Sequence, residues 1–143
     1  MGILKAGLAV TFLLLSVTAY AAENDADANR FWRMFRQAVL HRNNGQIASM
    51  TRFPFEVRGP DDSDPVRFFE RKAFPDLYKQ VVSQQVFVLS DGNFIAKTML
   101  QLIKEKKEIT SVDYLIPTSF TVHEFEFQLI NGHWLFTRAY LEE

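Results

Sequence analysis

Cysteine is absent from this chain of 143 residues. Its absence excludes disulfide bonds, thiolate metal ligands, a cysteine nucleophile and a lipid-modified cysteine. An excess of one charge is also lacking, because 16 Lys and Arg stand against 17 Asp and Glu, for a formal net charge of −1. A general nucleic-acid-binding protein needs surplus Lys and Arg to neutralise phosphates, so we do not expect that class.

Catalytic and metal-binding motifs are equally scarce. No serine stands in a GxSxG elbow, and no glycine-rich phosphate loop is present. The three histidines are dispersed, with no HxH or HExxH pair, so we expect no zinc site and no cofactor. The catalytic residues, if the chain has any, stay unassigned. The histidines are His41, His123 and His133.

One acidic cluster resembles a calcium loop only superficially. Asp61, Asp62 and Asp64 lie close together between Pro60 and Pro65. A calcium loop of the EF-hand type needs further oxygen ligands and a distal glutamate at a defined spacing, and the prolines disrupt it. The composition therefore predicts a solvated turn.

The only long apolar run lies near the start of the chain and is short for a membrane span. Residues 1–5 carry a positive charge, and residues 6–17 are mostly apolar. A spanning helix needs about 20 apolar residues, whereas a secretory signal peptide needs fewer. Small residues in Ala19-Tyr20-Ala21 predict cleavage between Ala21 and Ala22.

Cleavage at that site would divide the chain into two segments. Residues 1–21 are expected to be a signal peptide, and residues 22–143 a single soluble domain without membrane attachment. We expect export to the periplasm of a bacterium with two membranes. The 14 phenylalanines and the hydrophobic fraction of 48% are enough for a packed core, which excludes a disordered chain.

Helical spacing predicts two helices before the first strand. Apolar residues recur every three or four positions from Phe31 to Val39, and Asn43-Asn44-Gly45 ends that helix. A short second helix runs through Ile47 and Met50 and ends at Phe53-Pro54.

The middle of the chain mixes strands and helices. Residues 55–58 alternate like a half-buried strand, and residues 66–69 form the return strand of a loose hairpin. Helical spacing resumes over residues 74–82, with Pro75 in the first turn. Residues 94–107 favour a helix, with a strand as the alternative.

The last segment reads as a β-hairpin. Asn131-Gly132 is the preferred pair for a two-residue turn between strands over residues 120–130 and 133–141. Regular pairing then sets Phe125 opposite Arg138 and His123 opposite Tyr140. The face shared by the aromatic residues of both strands is expected to be core.

Three passages together resemble the NTF2-like superfamily. They are the aromatic first helix (FWRMFR), the strand entry FPF and the ending NGHWLF. The resemblance implies an α+β domain, with N-terminal helices packed on a curved antiparallel sheet that forms a cone around a pocket, and a C-terminal β-hairpin. The superfamily includes enzymes, association domains and ligand carriers, so fold does not choose function. The predicted helix around 93–107 departs from the superfamily pattern.

The candidate ligand-binding residues are His123, Arg138 and Tyr140. A guanidinium among aromatic rings needs a carboxylate, a carbonyl or a bound anion. One interpretation is a pocket mouth where Arg138 binds an acidic group while His123 and Tyr140 hydrogen-bond it. The other is that the strand ends reach the sheet edge, where Arg138 is solvated or held in a structural salt bridge.

Two charged groups are candidates for contact with a partner. Arg30, Arg33 and Arg36 form a row on the first helix, and such rows are more often simply solvated. The aromatic helices bury against either the domain's own core or a second copy. The second group lies on the loop between the prolines and comprises Asp61, Asp62 and Asp64.

These features favour an exported, non-catalytic module that binds a ligand or a protein. One alternative is a small-pocket enzyme of isomerase, dehydratase or hydrolase type using His123, Tyr140 and Arg138. The other is a periplasmic inhibitor or immunity-type protein that presents the loop from Pro60 to Pro65.

Overall fold

Helices and strands alternate along most of the chain, and four consecutive strands follow in its C-terminal part. The structure, a computed structural model, describes residues 23–142. Helix α1 covers residues 23–40, and three more helices follow it. Two single 3₁₀ turns, Arg71–Ala73 and Ser111–Asp113, join elements. The further helices are α2 (Asn44–Ser49), α3 (Phe74–Ser83) and α4 (Met99–Glu105).

Six strands form a curved, open sheet in the order β2-β1-β8-β7-β6-β5. A separate pair, β3 and β4, forms a small two-stranded sheet. The expected antiparallel sheet is mixed, because β1 and β8 run parallel. The strands are β1 (Thr51–Arg58), β2 (Arg67–Phe69), β3 (Gln85–Ser90), β4 (Asn93–Thr98), β5 (Tyr114–Ile116), β6 (Ser119–Val122), β7 (Phe125–Ile130) and β8 (His133–Tyr140).

Aromatic rings fill the space between α1 and the large sheet. Phe127 is fully buried, and the rings of Phe35 and Phe136 lie 5.0 and 5.2 Å from it. Trp32 also stacks on Phe35, and its indole nitrogen donates to the Lys106 carbonyl at 2.9 Å. The expected aromatic core face of the last two strands is confirmed, and side chains fill its centre.

Several sequence predictions agree with the described elements. The apolar stripe of α1 is buried, residues 55–58 lie in β1, and β2 pairs antiparallel with β1. Helix α3 begins at Phe74 with Pro75 in its first turn. The predicted end of the second helix was wrong, because α2 stops at Ser49 and Pro54 lies inside β1.

The prediction of one helix over residues 94–107 was wrong for its first half. Residues 93–98 form β4, and only Met99–Glu105 is helical. The helix cap is Thr98, whose side chain accepts a hydrogen bond from the Gln101 amide while the Gln101 side chain accepts one from the Thr98 amide. This capping box starts the helix.

The predicted strand over residues 120–130 is divided by a turn. His123 and Glu124 form the turn between β6 and β7, and His123 has a positive φ of 50°. β7 and β8 pair antiparallel across Asn131 and Gly132, both with positive φ.

A bulge in β8 overturns the predicted register at the far end of this pair. Phe127 lies opposite Phe136 as expected, but Arg138 lies opposite Glu126 and Ala139 opposite Phe125. Thr137 is the extra residue, and a one-residue shift turns every later side chain to the other face. Arg138 therefore leaves the aromatic face.

Candidate functional site

A network of charged side chains lies on the face of the sheet away from the aromatic core. Arg138 on β8 stands between Glu56 of β1 and Glu126 of β7, its partners in the two neighbouring strands. Its Nη1 donates to Glu126 Oε2 at 2.8 Å, and its Nη2 donates to Glu56 Oε2 at 3.0 Å. Only 7% and 4% of the Glu56 and Glu126 side chains are exposed. The guanidinium thus bridges three adjacent strands.

The carboxylates of Glu56 and Glu126 also interact with donors other than Arg138. Glu126 Oε1 accepts hydrogen bonds from Gln128 Nε2 at 3.0 Å and from Ser119 Oγ at 3.2 Å. The Tyr140 hydroxyl donates to Glu126 Oε2 at 3.4 Å. Glu56 also pairs with Arg58 on its own strand. Buried charges are tolerated when they are paired and hydrogen-bonded, and here both glutamates are.

The pKa shifts of Glu56 and Arg138 favour their charged forms. Burial raises the pKa of Glu56, but hydrogen bonds and charges from Arg138 and Arg58 outweigh it and leave the pKa below its ordinary value. Burial lowers the pKa of Arg138, and the opposing effects of Glu56, Tyr140 and Glu126 raise it overall. A glutamate held ionised and an arginine held protonated are poor proton donors and acceptors near neutral pH. The network is therefore suited to joining strands.

Of the three candidate ligand-binding residues, the structure brings two together. Arg138 and Tyr140 both contact Glu126, whereas His123 is exposed in the turn before β7. Partial burial and the charge of nearby Lys106 lower the pKa of His123. Among the described contacts, no hydrogen bond joins His123 to Arg138. The predicted opposition of His123 and Tyr140 was wrong, because the turn and the bulge intervene.

The arginine row of α1 has mixed roles. Arg30 pairs with Asp27 at 2.9 Å on the exposed surface, and Arg33 is exposed. Arg36 instead donates from Nε to the Ile103 carbonyl at 3.1 Å and from Nη2 to the Lys104 carbonyl at 2.5 Å. It therefore satisfies the last carbonyls of α4 and joins that helix to α1.

The acidic loop folds on itself. Asp64 accepts a hydrogen bond from the Asp61 amide at 3.0 Å, and Asp62 is exposed. Over residues 23–142, no group of three or more His, Asp or Glu side chains is placed to hold a metal ion. The proposed cleavage site at Ala21 and Ala22 lies outside the described residues.

An apolar surface that the sequence analysis did not identify lies on the β3–β4 sheet. Phe87, Leu89 and Phe94 project from one face and are 67%, 67% and 75% exposed. Leu89 is paired with Phe94 across the two strands, and Phe87 is paired with Ala96. We call these three large side chains the hairpin stripe. Single exposed apolar residues are ordinary, but a contiguous row marks a contact surface.

The β4 strand beside this stripe also has an open edge. Among residues 23–142, the small sheet contains only β3 and β4, so within that range one side of each strand has no partner strand. Residues 93–96 of β4 are exposed whichever way their side chains point. An edge strand presents unpaired amides and carbonyls, which a further strand can pair with.

The sequence carried only part of this information. Its aromatic neighbours made Arg138 conspicuous as a charge that needs a partner. The bulge at Thr137 leaves no local signature, so the Glu56 partnership was not visible. The hairpin stripe was obscured because residues 94–107 have helical spacing.

Comparisons with known proteins were negative: the chain matches no family model, no curated protein and no solved structure. None of the helices in residues 23–142 combines the length and apolar character needed to cross a membrane. The function has to be inferred from the side chains described above.

Proposed function

We propose that the chain is a non-catalytic binding module that takes an extended segment of a partner protein along the open edge of β4. The hairpin stripe beside that edge is the observation that carries the proposal. A partner strand would pair with the β4 backbone and cover Phe94 with its own apolar side chains. Addition of a strand to a sheet edge is a recurring mode of peptide recognition.

The pairing within the charged network and the lowered pKa of Glu56 support a binding role rather than catalysis. Arg138, Glu56 and Glu126 satisfy one another, and the pKa of Glu56 is lowered rather than brought towards neutrality. A general acid or base works best with a pKa near the working pH. Of the three side chains that the sequence analysis grouped for an enzyme, Arg138 and Tyr140 contact Glu126, and His123 lies apart from them in a turn.

We also propose that the module is exported to the periplasm and has an NTF2-like fold. Export rests on residues 1–21, and N-terminal sequencing of the exported protein should begin at Ala22. A soluble cytosolic protein that retains Met1 would contradict it. The curved sheet with helices on one face supports the fold proposal, although aromatic side chains occupy the centre of the expected cone.

Peptide binding tests the proposed function. The probe is a fluorescent peptide that carries the β3 sequence QVFVLS between terminal lysines, because β3 already pairs with β4. We expect saturable binding that weakens about tenfold or more in Phe94→Ser, since burying a phenylalanine contributes about 1.5–3 kcal/mol. Val112→Ser is the matched control, because Val112 is 87% exposed outside the hairpin.

Three outcomes would overturn this assignment. One is the absence of saturable binding, and another is equal weakening by the two substitutions. The third is a dimer in sedimentation equilibrium that Phe94→Ser dissociates, because a second copy would then occupy the edge. A peptide with a central proline, which cannot complete a strand, should not bind.

A further inference from the structure

A groove of about 600 Å³ lies between the end of α1 and helices α3 and α4, away from the charged network and from β4's edge. Its floor is apolar and includes Val39, Val82 and Leu100. Its volume falls in the range of about 300–1,000 Å³ that small-molecule sites occupy. The groove is therefore large enough for a ligand of that class.

The rim of the groove carries only positive charge. Arg42, Lys79 and Lys104 line it, and no Asp or Glu is among the lining residues. Among the described residues, none of these three side chains takes part in an ion pair. Two other lysines, by contrast, do form ion pairs: Lys97 pairs with Glu105 at 2.8 Å and Lys106 with Asp113 at 2.6 Å. Three unpaired cations around one apolar floor are complementary to an anion.

The groove is held in place by contacts on its far side. The hydrogen bonds from Arg36 to the carbonyls of Ile103 and Lys104 join α4 to α1. On the opposite wall, Tyr78 is buried in α3. Arg42 adopts a left-handed conformation with φ of 54° where the chain turns from α1 towards α2. Lys79 lies on α3, Lys104 lies on α4, and Arg42 follows α1. The three cations are therefore carried by elements that pack against one another.

We propose that this groove binds an amphiphilic anion of the fatty-acid type, with one apolar chain and one acidic head. The chain lies on the floor formed by Val39, Val82 and Leu100. The head lies at the rim between Lys79, Lys104 and Arg42. This site is independent of strand binding at β4.

Calorimetric titration tests both parts of the ligand. The probes are dodecanoate, dodecanol with the same chain but no charge, and acetate with the charge but no chain, all below micelle-forming concentrations. We expect saturable binding of dodecanoate, weaker binding of dodecanol and none of acetate. Binding of dodecanoate should weaken as salt is added, since exposed charges are screened.

Substitution locates the site. The Lys79→Gln, Lys104→Gln double variant should bind dodecanoate roughly threefold or more weakly, as expected when two exposed charge interactions are removed. Lys72→Gln is the control, because Lys72 is exposed in the turn before α3 and does not line the groove. Circular dichroism establishes that both variants retain the fold.

The proposal is overturned if dodecanoate does not bind, if dodecanol binds equally well, or if the double variant and Lys72→Gln behave alike. It is also overturned if an acidic helical peptide displaces dodecanoate and binds more tightly, because the occupant would then be a protein segment. These dodecanoate measurements do not depend on whether a peptide binds at β4. The proposal for the groove and the proposal for β4 can therefore be refuted independently.

Discussion

Arg138 shows how much a single additional residue changes the chemistry of a strand. Regular pairing would place its guanidinium opposite Phe125, among aromatic rings, where a charge is costly. Thr137 shifts the register by one, and Arg138 on β8 then lies opposite Glu126 of the antiparallel neighbour β7 and opposite Glu56 of the parallel neighbour β1. The sequence indicated that Arg138 needs a carboxylate, a carbonyl or an anion. It did not indicate which partner, because β1 lies about 80 residues away along the chain.

Removing Arg138 should strongly destabilise the fold. Arg138→Ala leaves Glu56 and Glu126 buried without their shared guanidinium, and breaking a buried ion pair costs about 3–5 kcal/mol. Urea unfolding measures the change in the free energy of unfolding. Arg33→Ala is the control, because Arg33 is exposed and should change stability by no more than about 0.5 kcal/mol. Equal stability of both variants would show that the network is not buried as described.

Glu56 should make stability depend on acidity. Its pKa in the folded chain is lower than the ordinary value of 4.5, so folding favours the ionised form. This contribution is complete above the unfolded pKa and is lost as the pH falls through the folded pKa. Urea unfolding between roughly pH 6 and pH 3 should show falling stability in the wild type and a shallower fall in Glu56→Gln. Parallel curves for the two proteins would argue against a lowered Glu56 pKa.

At the scale of elements, caps and turns decide where a strand ends and the next helix begins. Residues 94–103 have apolar positions that fit a helical stripe, yet residues 93–98 pair with β3 in six register positions. Thr98 and Gln101 then begin α4 through a capping box. Periodicity predicted α1 and α3, which are long enough to show a stripe. It could not divide a short strand from a short helix.

Loss of the Thr98 cap should weaken α4. Thr98→Ala removes the acceptor for the Gln101 amide and should cost about 1 kcal/mol of unfolding free energy. Thr98→Ser retains the hydroxyl oxygen and should lie near the wild type. Thermal unfolding of the three proteins measures the difference. A serine variant as unstable as the alanine variant would show that the methyl group, rather than the hydrogen bond, stabilises this end.

At the scale of the whole molecule, the two faces of the large sheet carry different kinds of side chain. One face packs aromatic rings against α1, and the other carries charged side chains that pair across strands. The sequence predicted the first face because aromatic residues alternate in β7 and β8. The second depends on strand order and on the bulge, and neither has a local signature. The two surfaces for which we propose occupants, the open β4 edge and the cationic groove, both lie outside this sheet.

Amide hydrogen exchange on the full chain, with and without the β3-sequence peptide, tests the central claim of strand binding most directly. We predict slower exchange within Asn93–Thr98 when the peptide is present, because its backbone pairs with the free edge of β4. Exchange at β5, which is also an edge strand, should stay unchanged. Unchanged exchange in β4, or equal protection of β5, would contradict the account.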